Sequence, residues 1–487
     1  MRTRRIARVA LVLALLLVAV PGTTGATPVA SALLNSRNID RHALDQIAAS
    51  GEANIFVKMS TDADLDKAES ITDRTERLQF VYTTLSSHAA ASQRAISRFL
   101  DRQGSRYQSF WINNSLYVYG ANLALVQALA QRNDVAYIRG DREVPLHLPV
   151  ARQESESRLE TVEWNVQKIN ADDVWASGIT GQGVVVANID TGVRYTHEAL
   201  VNQYRGNNGD GTFSHDYNWW DPTMALPAPS DNVDHGTHTM GTMVGGDGLG
   251  PFSEDIGVAP GAKWIAAKGC GTIFCTEFSL ISSAQWIACP TRVDGTDPDC
   301  SKAPDVVNNS WGGGGGDNWY TSYVRSWVAA GIIPVFSIGN SGPQCNTSGS
   351  PGDYSLTIGV GATDINDVLA DFSSKGSGTF RALKPDFAAP GDAIRSSIGN
   401  GDSSYAVFSG TSMAAPHASG TIALILEANP NARLVRIYNG LRTSTVTGLG
   451  APPGPDACDG RVYDVYPNFI YGWGRIDAAA AVGSAAP

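Results

Sequence analysis

Three short stretches carry residue types that could do chemistry together. Ser412 lies in SGTSMAAPHASG, residues 409–420, where Gly, Thr, Met and Ala leave little bulk around a hydroxyl. His235 opens HGTHTMGTMVGG, an imidazole followed by small residues at a predicted helix start. Asp190 closes the apolar run VVVANID just before a Thr-Gly turn. Singly, each has an ordinary structural reading: a packed turn, a core histidine, a turn-forming carboxylate. Together they have another. A serine hydroxyl is a poor nucleophile at neutral pH until a base takes its proton, and the base must be held in one tautomer. Asp, His and Ser in this chain order supply orienting group, base and nucleophile. The predicted chemistry is acyl transfer through a serine. Ser412, just inside a helix start, gains oriented N–H groups where an oxyanion would develop. Pro416 is compatible with that helix only if the helix has barely begun.

Residues so far apart need strands that end along one edge. From Trp164 onward, GQGVVVANIDTG, GAKWIAAKGC, APDVVNNSWGG, GIIPVFSIGN and YSLTIGVGAT are continuous apolar runs. Helical stretches such as TEFSLISSAQWIAC and NWYTSYVRSWVAAG alternate with them. That alternation predicts an α/β fold, a mostly parallel sheet covered by helices on both faces, with its site at the carboxyl ends of the strands. Ahead of it, ANIFVKM reads as a strand, residues 64–102 as a helix, and YQSFWINNSLYVYG as a hairpin bent at Asn113-Asn114. ANLALVQALAQRND is a second helix and VAYIRGDREVPL a final strand, the order of a small α+β ferredoxin-like domain. PVARQESESRLETVE is polar and reads as an exposed linker. The expected divisions are residues 33–150 for the small domain, 151–163 for the linker and 164–487 for the large domain.

The 487 residues carry a formal net charge of −11, which argues against a nucleic-acid partner. Arg2, Arg4, Arg5 and Arg8 precede an apolar run from Val9 to Val20 and then small residues. Residues 1–32 therefore read as a signal peptide, with cleavage near Ala26 or Ala32, rather than as a membrane anchor, which needs about 20 apolar residues. A secreted protein with no membrane segment in its mature form is the expectation. The six cysteines are an even set, and in an exported chain disulfides are their default. A zinc site is the rival, but no CxxC pair occurs and no histidine lies close to them in sequence. Connectivity does not follow from spacing; Cys270–Cys275, Cys289–Cys300 and Cys345–Cys458 is the expected set.

NIDTGV, HGTHTMGT and GTSMAAPHASG resemble the three signature motifs of the subtilisin-like (subtilase) serine proteases, within a resemblance spanning roughly residues 162–482. The resemblance implies Ser412 as nucleophile, His235 as general base and acid, Asp190 as the group orienting His235, and His238 as the motif's second, non-catalytic histidine. It implies that Asn340, in PVFSIGNSGP, donates to the oxyanion; its plainer reading is a turn former. Ser310, Trp311 and Gly312, in VVNNSWGGG, would pair with substrate main chain as an added strand. TSGSPGDYSLTIGVGA would line the primary specificity pocket, with Gly349 leaving its base roomy and Ser341 replacing an acid at its mouth. A preference for large uncharged or aromatic side chains before the scissile bond is the expectation.

NDVAYIRGDREVPLHL resembles the last strand of the family's inhibitory propeptide, which assists folding and then occupies the cleft. Self-cleavage is expected between about Leu146 and Glu160. Partners are then protein or peptide substrates and the chain's own propeptide in cis. No cofactor is implied for catalysis, but a structural calcium is; Asp and Asn are abundant in NQYRGNNGDGTFSHDYNWWD, with no spaced ligand set. The function implied is a secreted serine endopeptidase made as a zymogen. The alternative is a catalytically inactive subtilase-like binding protein, which would lack a triad member or Asn340. An esterase would show GxSxG around Ser412, and a sedolisin-type protease a Glu in place of His235.

Overall fold

The computed structural model describes residues 38–155 and 162–485. The predicted signal peptide and residues 156–161 of the predicted linker lie outside the described residues. The N-terminal body runs α1 (Arg41–Ser50), β1 (Glu52–Met59), α2 (Arg74–Ser92), α3 (Arg94–Gln103), β2 (Tyr107–Phe110), β3 (Ser115–Asn122), α4 (Leu123–Ala130) and β4 (Val135–Gly140). Its strands form one antiparallel sheet in the order β2-β3-β1-β4. The long predicted helix is two. Asp73 caps the first by accepting from the Glu76 amide at 2.8 Å. That helix stops at Gln93, whose buried amide turns inward to the carbonyls of Phe110 and Ser115 and to Asn114.

Alternate residues of β1 face opposite ways. Ile55 and Val57 pack with Ile96, Leu100, Val126 and Leu129 of the body's own helices, while Phe56 looks the other way. An antiparallel sheet apolar on both faces needs a second cover. Here that cover is the larger body.

The chain continues as β5 (Glu143–Pro145) and β6 (Ala151–Ser155), then α5 (Trp164–Lys168), α6 (Ala171–Ala176), β7 (Val185–Asp190), β8 (Trp219–Trp220) and α7 (His235–Val244). There follow β9 (Lys263–Lys268), β10 (Phe274–Thr276), α8 (Glu277–Ala288), β11 (Val306–Asn309), α9 (Thr321–Ala330), β12 (Ile333–Ser337), β13 (Ile358–Thr363) and β14 (Phe387–Pro390). The last elements are β15 (Ile394–Ser397), β16 (Tyr405–Ser409), α10 (Thr411–Ala428), α11 (Leu434–Thr443) and α12 (Ala478–Ala485).

Seven strands form a parallel sheet in the order β14-β13-β12-β11-β7-β9-β8. Val186 joins the core layer of Met240, Ala415 and Ile422 beneath α7 and α10. Its neighbours Ala187 and Ile189 join Leu280, Ala284 and Trp327 of α8 and α9 on the opposite face. Both faces are therefore covered, as the continuous apolar strands require. Cys270–Cys275, Cys289–Cys300 and Cys345–Cys458 are bonded, in the expected pairing. Among the described residues no helix is long and apolar enough to cross a membrane.

The segment read as an exposed linker begins instead as strand β6, antiparallel to β16 from Ala151 opposite Ser409 to Ser155 opposite Tyr405. The other edge of β16 is occupied by β15, so its free N–H and C=O groups can take an extended chain whatever its side chains. Beyond the segment, Glu163 is anchored. The Arg395 guanidinium of β15 lies 3.0 Å from Glu163 and 2.6 Å from Glu254, all three side chains buried, and stacks over Tyr405 at 4.3 Å. Arg395→Met would leave two neighbouring carboxylates buried without that cation. The expected loss is about 3–5 kcal/mol, read as a lower denaturant midpoint and partly recovered by adding Glu163→Gln. An unchanged midpoint would show that the charges are not desolvated.

Candidate active site

Asp190 ends β7, at the carboxyl edge of the sheet, and His235 begins α7 beside it. Glycine makes the approach possible. A Cβ on Gly236 would lie 2.1 Å from the carbonyl oxygen of Gly192, so the first turn of α7 can rest on the Thr191-Gly192 turn only without one. The result is a buried hydrogen bond of 2.7 Å from His235 Nδ1 to Asp190 Oδ1. The Thr191 amide also donates to Asp190 Oδ1 at 2.7 Å. His235 Nε2 is buried and completes no hydrogen bond among the described residues. Burial disfavours charge on this imidazole. The attraction of Asp190, their hydrogen bond, nearby Asp231 and the carbonyl of His147 outweigh it, so its pKa lies above the ordinary imidazole value.

Ser412 stands at the second position of α10, fully buried. Pro416 is in the second turn of this 18-residue helix rather than at its start. The structure shows why that is tolerated: the Ser412 carbonyl, deprived of a helical N–H by Pro416, accepts the Ser310 hydroxyl at 3.1 Å. Ser310 is thereby tied to Ser412 by its side chain as well as by position. Asn340 follows β12 and is oriented by Thr411, whose amide and hydroxyl donate to Asn340 Oδ1 at 2.9 and 2.8 Å. Its Nδ2 is left facing the cleft. Trp311 sends its indole into the core against Tyr320 and Phe336, so only its backbone borders the cleft.

That cleft is occupied by the chain itself. β5 pairs antiparallel with β10, the Leu146 amide donates to the Ile273 carbonyl at 3.1 Å, and Leu146 bridges Trp311 from the other side. The Gly312 amide donates to the Pro145 carbonyl at 3.3 Å. The next residue, His147, presents its carbonyl to Ser412 Oγ at 2.7 Å, while Asn340 Nδ2 donates to the Leu148 carbonyl at 3.3 Å. The Leu148 amide folds back onto the Leu146 carbonyl at 2.8 Å, a tight turn centred on His147. The Ser412 hydroxyl thus meets the backbone carbonyls of His147 and Ser310, not the His235 ring. Behind this strand the small domain is clamped to the large one. Gln285 accepts the Trp111 and Ile112 amides, Arg139 pairs with Glu277 at 2.6 Å, and Arg74 pairs with Asp305 at 2.9 Å.

Several residues around the site escaped the sequence reading. Asp231, half-buried, accepts from Thr191 Oγ1, the amides of Val233, Asp234 and Thr237, and Thr237 Oγ1, and so fastens the start of α7 to the Asp190 turn. A carboxylate four residues before His235 was the available signal. Lys268, at the end of β9, is buried with its ammonium on the Thr191 carbonyl and Asn232, and burial lowers its pKa. His147 and Ser337 meet at 2.8 Å between Nδ1 and Oγ, a pairing that no local pattern announces. His238 donates toward the carbonyls of Ile394 and Ala406 and stacks on Phe408; burial and the neighbouring His235 push its pKa down to about 3, so it serves as a neutral packing group.

Gly349 does not open onto empty space. A Cβ there would stand 2.7 Å from the Gly313 carbonyl oxygen, so this glycine lets the two chain segments approach each other. In the Asp- and Asn-rich stretch, Asp210 accepts from Thr212, Asn208 pairs with Thr212 and Ser214, and Asp216 holds the Val293 amide and Arg292. Those oxygens are engaged in turns and, at Asp216, in an ion pair. Among the described residues no three His, Cys, Asp or Glu side chains gather as a metal site.

Comparison with known proteins gives the lineage. Residues 181–474 match the model of the subtilase family. Bacillopeptidase F of Bacillus subtilis is 36% identical over 423 residues, 82% of this chain; the chain spans only 28% of that relative's length. Subtilisin E of Bacillus subtilis is 30% identical over 359 residues, 73% of this chain and 77% of its own length. Among solved structures, fervidolysin from Fervidobacterium pennivorans, described as a keratinolytic enzyme related to subtilisin, superposes with a TM-score of 0.59. The match covers 89% of this chain and 61% of that one at 20% identity, and supports the fold. With the family model covering more than half of its length, the chain belongs to the subtilase family.

Proposed function

We propose that the protein is a secreted serine endopeptidase made as a zymogen, with residues 33–150 including its inhibitory domain. The observation that carries this reading is an Asp190–His235 hydrogen bond beside a buried Ser412 whose hydroxyl already touches the backbone carbonyl of a peptide segment threaded through the cleft. In the reaction, Ser412 Oγ attacks the carbonyl carbon before the scissile bond, and its proton passes to His235 Nε2. The new oxyanion takes hydrogen bonds from Asn340 Nδ2 and the Ser412 amide, worth about 10²–10³ in turnover for such an asparagine in a subtilisin. Collapse breaks the C–N bond, and His235 returns the proton to the leaving amine. Water, deprotonated by the same His235, then releases the acyl group from Ser412.

The bond threaded past Ser412 is His147–Leu148, and it is the proposed maturation bond. In the uncleaved chain, the His147 carbonyl oxygen sits at the Ser412 hydroxyl rather than at Asn340, held there by the turn from Leu146 to Leu148. Attack requires that peptide unit to rotate, so the segment inhibits before it is cut. The three disulfides and the basic, apolar start of the sequence support export. N-terminal sequencing of the purified chain after incubation tests the proposal: a new terminus at Leu148 and concurrent hydrolysis of a denatured protein substrate are expected. A chain that binds that substrate without ever cutting it or itself would overturn the reading in favour of a binding protein.

A further inference from the structure

The side chain before the threaded bond enters a pocket of specific chemistry. Pairing of Pro145 with Gly312 and of Leu146 with Ile273 and Trp311 sets the register, so that of this segment His147 is the residue delivered to the pocket next to Ser412. Its imidazole lies flat on Gly312: a Cβ there would stand 2.9 Å from its Cε1 and 3.1 Å from its Nε2. On the other side Ser337 Oγ meets its Nδ1 at 2.8 Å. Ser337 is the last residue of β12, fully buried and held in the parallel sheet between β11 and β13, so its hydroxyl is presented by a rigid element. Nδ1 and the Ser337 hydroxyl can each donate or accept, so this one contact satisfies both groups. Burial and the neighbouring His235 push the His147 pKa down to about 4, so the ring enters uncharged at neutral pH.

Resting on the peptidase reading above, we propose that Ser337 is a specificity-determining residue that makes this pocket select histidine, so that the enzyme cuts protein substrates after histidine. A phenyl ring would fill the same flat slot but leave the buried Ser337 hydroxyl without its partner. An aliphatic chain would also forgo the ring's contact with Gly312, and a carboxylate or ammonium would be desolvated in that slot.

The test uses the secreted, self-processed enzyme, with active sites counted by fluorophosphonate titration. The substrates are decapeptides of the chain's own residues 142–151 carrying His, Phe, Leu, Glu or thienylalanine at the position of His147. Thienylalanine keeps a five-membered ring but lacks Nδ1. Expected are the highest kcat/KM for His and a value about tenfold lower for thienylalanine, the worth of one neutral hydrogen bond. Ser337→Ala should lower the His-to-Phe ratio of kcat/KM by about the same factor. Equal turnover of His and thienylalanine by wild type, or an unchanged His-to-Phe ratio in Ser337→Ala, would overturn the role of Ser337 while leaving the peptidase intact. No hydrolysis of any peptide, with no titratable serine, would overturn both.

Discussion

Replacing Ser412 by alanine is expected to lower turnover of a denatured protein substrate by about 10⁶-fold, the scale on which a subtilisin loses activity without its nucleophile. Two effects are combined in that number, and they separate experimentally. Self-processing should stop, so the chain keeps residues before Leu148, as intact-mass measurement would show. Chains trimmed by an added, removable protease should still fail to turn over substrate. The fold should hardly notice. Among the described residues Ser412 Oγ makes hydrogen bonds to the carbonyls of His147 and Ser310, and removing a neutral hydroxyl that donates to a carbonyl costs about 0.5–1.5 kcal/mol. A trimmed Ser412→Ala chain with wild-type turnover would mean that another group is the nucleophile.

Asp190→Asn carries the second largest expectation, a fall of about 10⁴ in kcat with the fold retained. The carboxylate accepts from His235 Nδ1, leaving Nε2 as the base; an amide in its place can hold the ring in the opposite tautomer. The pH profile gives an independent check. His235 works as a base only when neutral, so activity is present above its pKa and lost as pH falls through it. With Asp190 and Asp231 outweighing burial, that acid limb lies above the ordinary imidazole value in wild type. The His147 carbonyl adds to the shift only while the N-terminal segment is bound. Removing the Asp190 charge leaves burial less opposed, so the limb should move to lower pH in Asp190→Asn. A kcat/KM profile with the same limb in both proteins would show that Asp190 does not set the charge of His235.

The parallel sheet was legible because strands such as β7 and β12 are apolar on both faces, and few other arrangements bury such runs. The candidate triad was legible because each member sits in a frame of small residues that leaves a trace in sequence. What escaped was decided by tertiary geometry. β6 is polar, and its place beside β16 comes from backbone pairing, which composition does not record. Pro416 read as a mark of a helix start because the Ser310 hydroxyl that satisfies the Ser412 carbonyl comes from a hundred residues away along the chain. Gly349 read as room at the base of a pocket because the Gly313 carbonyl against which it packs belongs to another segment. The meeting of His147 with Ser337 joins two domains and has no periodicity to betray it.

Reaction of the processed protein with a fluorophosphonate, followed by peptide mass mapping, tests the central claim most directly. One covalent adduct per chain is expected, on the peptide containing Ser412. The unprocessed chain, whose cleft is filled by residues 143–150, should react far more slowly. An adduct on a different serine, or none on a correctly folded and trimmed chain, would contradict it.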